Sequence, residues 1–250
     1  VNVILGIVII VLTIWKLKGE WAEAKGDKFD FAGSIFFSLT LLLLMYGSSK
    51  LPHAAGIYTV IGSAIFLIVF ILWENRIQNP VLNIKLFSEN TVFAFSNLAA
   101  LINYSATSAV TFLLSFYLQY VKGLSPQAAG IVLVSQPIFM TIVSPIAGRL
   151  SDKIEPRILA SIGMTLSVIG LGLFVTIGSE SSLTFVIMNL VILGIGFGLF
   201  SSPNTNAVMS SVRKEVYGIA TATLGTMRLT GQMLSMGIVM LIFSLTVGRI

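Results

Sequence analysis

Seven long stretches of this chain are free of charge or nearly so. Six of them, 31–49, 54–73, 90–121, 123–148, 158–179 and 181–212, contain no Asp, Glu, Lys or Arg, and 216–248 contains only Arg228. A helix needs roughly 20 mainly apolar residues to cross the hydrocarbon core of a bilayer, and each stretch reaches about that length. In lipid only helices and closed barrels satisfy their own backbone hydrogen bonds. A barrel would show alternating segments of about ten residues, which these runs are not. The chain therefore reads as an all-α, polytopic membrane protein with seven spanning helices.

Composition agrees. Hydrophobic residues make up 56% and charged residues 10%, against roughly a quarter charged in a soluble domain. The absence of cysteine excludes disulfides, thiol chemistry and zinc–thiolate sites. An eighth run, 1–15, is too short to cross and ends in Trp15-Lys16-Leu17-Lys18. With no initiator Met and no basic region before it, it is a poor signal peptide and reads as the end of a helix that begins upstream. The last expected span ends at the C-terminus itself, so the sequence is expected to be truncated at both ends.

The loops set an orientation. Eleven of the fifteen Lys and Arg residues fall in alternate connections: Lys16, Lys18, Lys25 and Lys28; Arg76 and Lys85; Arg149, Lys153 and Arg157; Arg213 and Lys214. The intervening connections hold Lys50 and Lys122 alone. Cytoplasmic loops are the ones rich in Lys and Arg, so 16–30, 74–90, 149–157 and 210–216 are expected inside. The net charge of +5 then reflects topology and attraction to anionic lipid, not nucleic-acid binding. Along the chain this divides 16–30 and 74–90 as linkers, 31–73 as a very apolar, peripheral helix pair, and 91–250 as a five-helix bundle richer in Gly, Ser, Thr, Asn and Pro.

Within that bundle polar residues share faces. At 100° per residue, Asn97, Tyr104, Ser108, Thr111, Ser115 and Gln119 fall within about 80° of one another. Lipid does not tolerate such a stripe, so it faces a cavity or provides interhelical hydrogen bonds. In the last span Tyr217, Thr221, Arg228, Gln232 and Ser235 cluster similarly. Arg228 lies roughly 15 Å from the helix start, which makes snorkelling difficult and favours a functional or gating role. Gly194, Gly198, Ser202, Asn206 and Ser210 recur every four residues, a strip that lets another helix approach closely. Pro203 beside Asn204 and Asn206, and the pairs Gln136-Pro137 and Ser144-Pro145, predict kinks or breaks beside a cavity. All ten acidic residues fall in loops or at helix ends. This predicts no acid pair, metal cluster or nucleophile–base set at membrane depth, and no buried carboxylate to carry a proton.

The stretch Gly148-Arg149-Leu150-Ser151-Asp152-Lys153-Ile154-Glu155-Pro156-Arg157 resembles the Gly-x-Leu-x-Asp-Arg/Lys signature of the major facilitator superfamily. Charge counting independently places it inside. Here Asp152 could pair with a nearby Arg and accept from a helix N-terminus, forming a latch of Gly148, Arg149, Asp152, Lys153 and Arg157; simple capping is the alternative. Val1-Asn2-Val3 with Gly6, Phe29-Asp30-Phe31-Ala32-Gly33-Ser34, Ser202-Pro203-Asn204-Thr205-Asn206 and Arg228-x-x-Gly231-Gln232 resemble the fourteen-helix drug:proton antiporters of that superfamily. The resemblance implies a C-terminal fragment of a helical bundle in the cell membrane. Its missing partner would be the N-terminal half of the same polypeptide, which in such proteins commonly carries the proton-coupling carboxylates. It implies export of hydrophobic or cationic small molecules driven by the proton gradient, with no bound cofactor and no enzymatic chemistry. A transporter of a metabolite (amino acid, lipid or siderophore) and a non-transporting scaffold are the alternatives. The residues expected on the substrate path are Asn97, Tyr104, Ser108, Thr111, Ser115, Gln119, Gln136, Asn204, Asn206, Thr221, Arg228 and Gln232.

Overall fold

A computed structural model of the protein describes residues 2–16, 30–77, 80–82 and 84–246. All regular structure among them is helical: α1 (Asn2–Lys16), α2 (Phe31–Ser49), α3 (Ala54–Glu74), α4 (Ile84–Glu89), α5 (Thr91–Thr107), α6 (Val110–Phe116), α7 (Pro126–Leu133), α8 (Ser135–Ser151), α9 (Pro156–Val175), α10 (Leu183–Ser210) and α11 (Tyr217–Thr246). A π-helical turn, Tyr117–Val121, extends α6, and a 3-10 turn, Lys214–Val216, leads into α11. Joined across short breaks these make seven spans, 31–49, 54–74, 91–121, 126–151, 156–175, 183–210 and 214–246, each long and apolar enough to cross a bilayer. The expected seven are the seven observed.

Polar residues at the ends of the apolar runs start the helices. Asp30, Asn90, Ser125 and Ser182 accept from the backbone N–H three residues on, at 2.8, 2.9, 3.3 and 3.1 Å, and Pro126 fits the first turn of α7. Proline acts unequally inside the spans. Pro137 supplies no N–H to the Leu133 carbonyl, and the span divides there into α7 and α8. Pro145 and Pro203 sit within unbroken helices, so of the three prolines only Pro137 accompanies a break.

α10 is the most buried span and packs between α8 and α9. The four-residue strip faces α8: a methyl group at Gly194 would strike the Gln136 carbonyl, one at Gly198 would crowd Val143, and Gly148 on α8 has the same relation to Ser202. Without a hydrophobic force between helices in lipid, such close approach is what holds them together. α11 lies along α5 with Gly231 against the Leu101 carbonyl, and also touches α2, where Gly237 faces Ser48. The pair α2–α3 is joined by Ser63 Oγ donating to the Thr40 carbonyl at 2.9 Å, both residues being buried.

One expectation about charge is overturned. Asp30 and Glu74, each read as a helix-end residue, are 8% and 4% exposed. They meet where the start of α2 lies beside the end of α3. Forty-four positions separate them, so only the antiparallel packing of the two helices reveals the acid pair.

Candidate functional site

The polar stripe of the third span is not continuous. Ser105, Thr107 and Ser108 donate their hydroxyls to the carbonyls of Leu101, Asn103 and Tyr104 at 2.7, 2.8 and 2.6 Å. Three such back-bonds in one turn weaken the helix's own ladder, and α5 ends there, with α6 restarting at Val110. The freed Ala109 N–H donates instead to Ser235 Oγ of α11 at 3.0 Å. Broken backbone at membrane depth persists only when a neighbour satisfies it. Ser235→Ala is therefore expected to cost about 1–3 kcal/mol by orphaning a buried donor. A guanidine-free thermal melt of the purified protein measures this, with Ser210→Ala, whose hydroxyl is exposed, as the unaffected control.

The break opens a cavity of about 340 Å³ lined by Tyr104, Thr107, Ser108, Thr111, Gln136, Phe197, Gln232 and Met236. Two amides, three hydroxyls and an edge-to-face aromatic pair, Tyr104–Phe197 with centroids 5.1 Å apart, thus converge from four spans. Arg228 stands beside it. One guanidinium nitrogen donates to Thr205 Oγ1 at 2.6 Å, and that hydroxyl in turn donates to the Ser201 carbonyl at 2.8 Å. The guanidinium carbon lies 5.8 Å from the centre of the Tyr104 ring, within cation–π range. Its Nε is buried and has no hydrogen-bond partner among the described residues. The cation is held by a hydroxyl and a ring face, with its buried Nε–H left over.

The cavity therefore gathers Tyr104, Ser108, Thr111, Gln136 and Gln232, with Arg228 adjoining, from the residues expected on the path. Others lie elsewhere. Asn97 is fully buried and donates to its own helix at the Phe93 carbonyl, 2.9 Å away. Gln119 and Ser115 bond to each other at 2.8 Å beyond the break. Asn204 donates to the Ser96 carbonyl at 3.2 Å and lines a separate, larger cleft of about 630 Å³ between α5, α9 and α10. Thr221 is exposed and, among the described residues, reaches only Met209 Sδ, at 3.5 Å. Sequence reading missed Thr107, Phe197 and Met236 in the lining and Thr205 as the anchor of Arg228. Thr107 had a readable signal, a hydroxyl next to Ser108 in a run of back-bonding residues; the roles of the other three had none.

Asn206 belongs to the 148–157 loop. Its Nδ2 donates to Ser151 Oγ at 2.6 Å and approaches Asp152 Oδ1 at 3.5 Å. Asp152 caps the end of α8, so its neighbour is an amide of α10, where an arginine was expected. Arg157 instead pairs with Glu155 at 2.6 Å, with side chains 78% and 50% exposed, a surface pair of little energetic weight. Arg149 and Lys153 are exposed.

Comparison with known proteins agrees with this architecture. The chain is 33% identical over 232 residues to the riboflavin transporter RibZ of Clostridioides difficile (strain 630), covering 91% of the chain and 50% of RibZ. It is 25% identical over 236 residues to the multidrug resistance protein Stp of Mycobacterium tuberculosis, covering 92% of the chain and 43% of Stp. It is 28% identical over 232 residues to the multidrug transporter protein MdtP of Bacillus subtilis (strain 168), covering 89% of the chain and 42% of MdtP. The chain spans about half the length of the curated relatives it matches. A family model described as Major Facilitator Superfamily matches residues 1–236. With seven helices long and apolar enough to span a bilayer and that match over nearly its whole length, this multi-pass membrane protein belongs to the Major Facilitator Superfamily.

Proposed function

We propose that this chain forms one wall of the substrate path of a fourteen-helix drug:proton antiporter, exporting hydrophobic or cationic small molecules across the cell membrane. The observation that carries the reading is the cleft between α5, α8, α10 and α11. Its Tyr104–Phe197 pair offers an apolar, polarisable surface, while Gln136, Gln232 and the hydroxyls of Thr107, Ser108 and Thr111 offer hydrogen bonds in several directions. Such a mixture suits varied amphipathic ligands more than one charged metabolite. Relatives named as multidrug proteins support it. The loops 16–30, 74–90, 149–157 and 210–216 face the cytoplasm in this reading, and the N-terminal half of the transporter supplies the opposite wall. Asn206, bonded to Ser151 beside Asp152, ties α8 to α10 at the cytoplasmic end.

A second reading has its own support. The 33% identity to a riboflavin transporter, together with an aromatic pair beside an arginine and two amides, fits a planar heteroaromatic metabolite. One experiment separates them. Cells expressing the transporter are loaded with a cationic dye, and in parallel with riboflavin, with and without a protonophore. Lowered dye accumulation that the protonophore abolishes is the expected result. Unchanged dye with altered riboflavin flux replaces the first reading by the second, and no change in either sinks both.

A further inference from the structure

We propose that Asp30 and Glu74 form a proton-binding site in which one proton lies between Asp30 Oδ2 and Glu74 Oε1 at the base of the α2–α3 pair. The site is distinct from the cleft beside Arg228 and does not depend on what the protein transports. A methyl group at Gly33 would collide with both of these oxygens at once, so they converge on one point, each from a residue at least nine-tenths buried. Two carboxylate oxygens that face each other in a buried place need a donor between them. Glu74 Oε1 is buried and has no partner among the described residues. A proton supplies the missing hydrogen bond.

The surroundings say which group carries it. Asp30 accepts from Gly33 N–H at 2.8 Å and from Trp73 Nε1 at 3.2 Å, at the N-terminus of α2. Its carboxylate oxygens are thus already met by donors. Glu74 has one oxygen accepting from Leu82 N–H at 2.9 Å, and the other faces Asp30. The proton therefore resides on Glu74 Oε1 and is donated to Asp30 Oδ2, as in carboxyl pairs that cannot both ionise. Arg76, two residues beyond Glu74, is the nearest charged residue along the chain; α2 and the rest of α3 carry no charge, and Lys85 and Glu89 belong to α4, which packs on α5. Arg228 of α11, the helix that packs on α2, is turned toward Thr205 of α10. Proton loss would leave two anions at Gly33 and loosen the contact that ties α2, α3 and residues 80–82 together.

The test is an infrared pH titration of the purified full chain in lipid nanodiscs, reading the carbonyl band of protonated carboxylic acids. Wild type is expected to keep one such carboxyl per chain near neutral pH, losing it only as pH rises further. Glu74→Gln, which retains an N–H donor toward Asp30, is expected to lose the band while leaving the fold intact, and Asp30→Asn to lose or displace it. In a Trp15→Phe/Trp21→Phe background, Trp73 emission is expected to shift with the same titration in wild type and stay flat in Glu74→Gln. A wild-type spectrum with no protonated carboxyl at neutral pH overturns the proposal without any variant. So does a band unchanged in Glu74→Gln, or a Trp73 shift driven by sodium at fixed pH, which would make the pair a cation site.

Discussion

Replacing Arg228 with alanine is expected to lower transport at least tenfold while leaving membrane insertion and yield unchanged. The substitution removes a charge-assisted hydrogen bond to Thr205 Oγ1 and the cation over the Tyr104 ring. Hydrogen bonds to charged groups contribute about 1.5–3 kcal/mol, and about 1.4 kcal/mol corresponds to a factor of ten. Thr205 keeps its bond to the Ser201 carbonyl, so the helix it sits on survives the change. Arg228→Lys separates charge from shape. A lysine ammonium is a compact point charge without the planar fork, and it cannot both reach Thr205 and cover Tyr104. Intermediate transport, several-fold below wild type, is expected. Thr205→Val should resemble Arg228→Lys, because the guanidinium loses its hydroxyl partner but keeps its ring contact. Initial rates of dye export from energised vesicles, normalised to protein, read all three variants. Full activity in Arg228→Ala would assign the residue to helix packing.

The spans were legible because bilayer thickness imposes a length on any uncharged run, and that constraint acts locally on the sequence. Seven runs therefore became seven spans with ends within a few residues of those read. The faces of those spans were legible only as far as the helices stayed regular. The stripe from Asn97 to Gln119 assumes an unbroken 100° advance per residue, but the turn at Ser108–Ala109 and the π-helical residues 117–121 change the phase. Tyr104, Ser108 and Thr111, on either side of the first break, reach the cavity, whereas Ser115 and Gln119 do not. The back-bonding hydroxyls that cause the break were present in the sequence, but the donor that makes it tolerable, Ser235, comes from another helix.

Pairings between distant residues were not legible at all. Asp30 looks like an ordinary N-cap acid, since a carboxylate at a helix start is stabilised wherever it occurs, and Glu74 looks like an acid at the polar edge of an apolar run. Their convergence depends on the length of the α2–α3 hairpin, which no periodicity encodes. Asn206 shows the same limit. Its four-residue spacing from Ser202 placed it correctly on the face toward α8, yet not the partner it finds there. Ser151 Oγ, on the last turn of α8, is that partner, so the residue belongs to the loop end of the bundle and not to the cleft.

Gly163→Val is expected to destabilise the protein by about 1–3 kcal/mol, the range for overpacking a close contact, and by more if the helices cannot part. A Cβ at Gly163 would stand 2.5 Å from the Gly196 carbonyl oxygen, 2.6 Å from Phe200 N and 2.9 Å from Leu199 C. All three are backbone atoms of α10, so no rotamer change relieves the clash and α9 must move away. The contact is two-sided: a Cβ at Gly196 would meet the Gly163 carbonyl at 2.9 Å and Ser167 Oγ at 3.0 Å. Ser167 is buried there and donates to the Gly163 carbonyl of its own helix at 3.1 Å, so a displaced α9 uncovers that pair. Gly172→Ala on the same helix is the control, since nothing lies within 4 Å of its Cβ. Filling a helical glycine there should gain about 0.5–1 kcal/mol. The two substitutions are thus predicted to have opposite signs in a thermal melt of the detergent-solubilised protein. Equal melting temperatures would refute the claim that backbone contact at Gly163 and Gly196 holds α9 to α10. Because α10 carries Phe197, Thr205 and Asn206, moving it off α9 displaces the aromatic edge of the cleft, the anchor of Arg228 and the tie to Ser151 together. Gly163→Val should therefore reduce transport even in the fraction that remains folded, whereas Gly172→Ala should not.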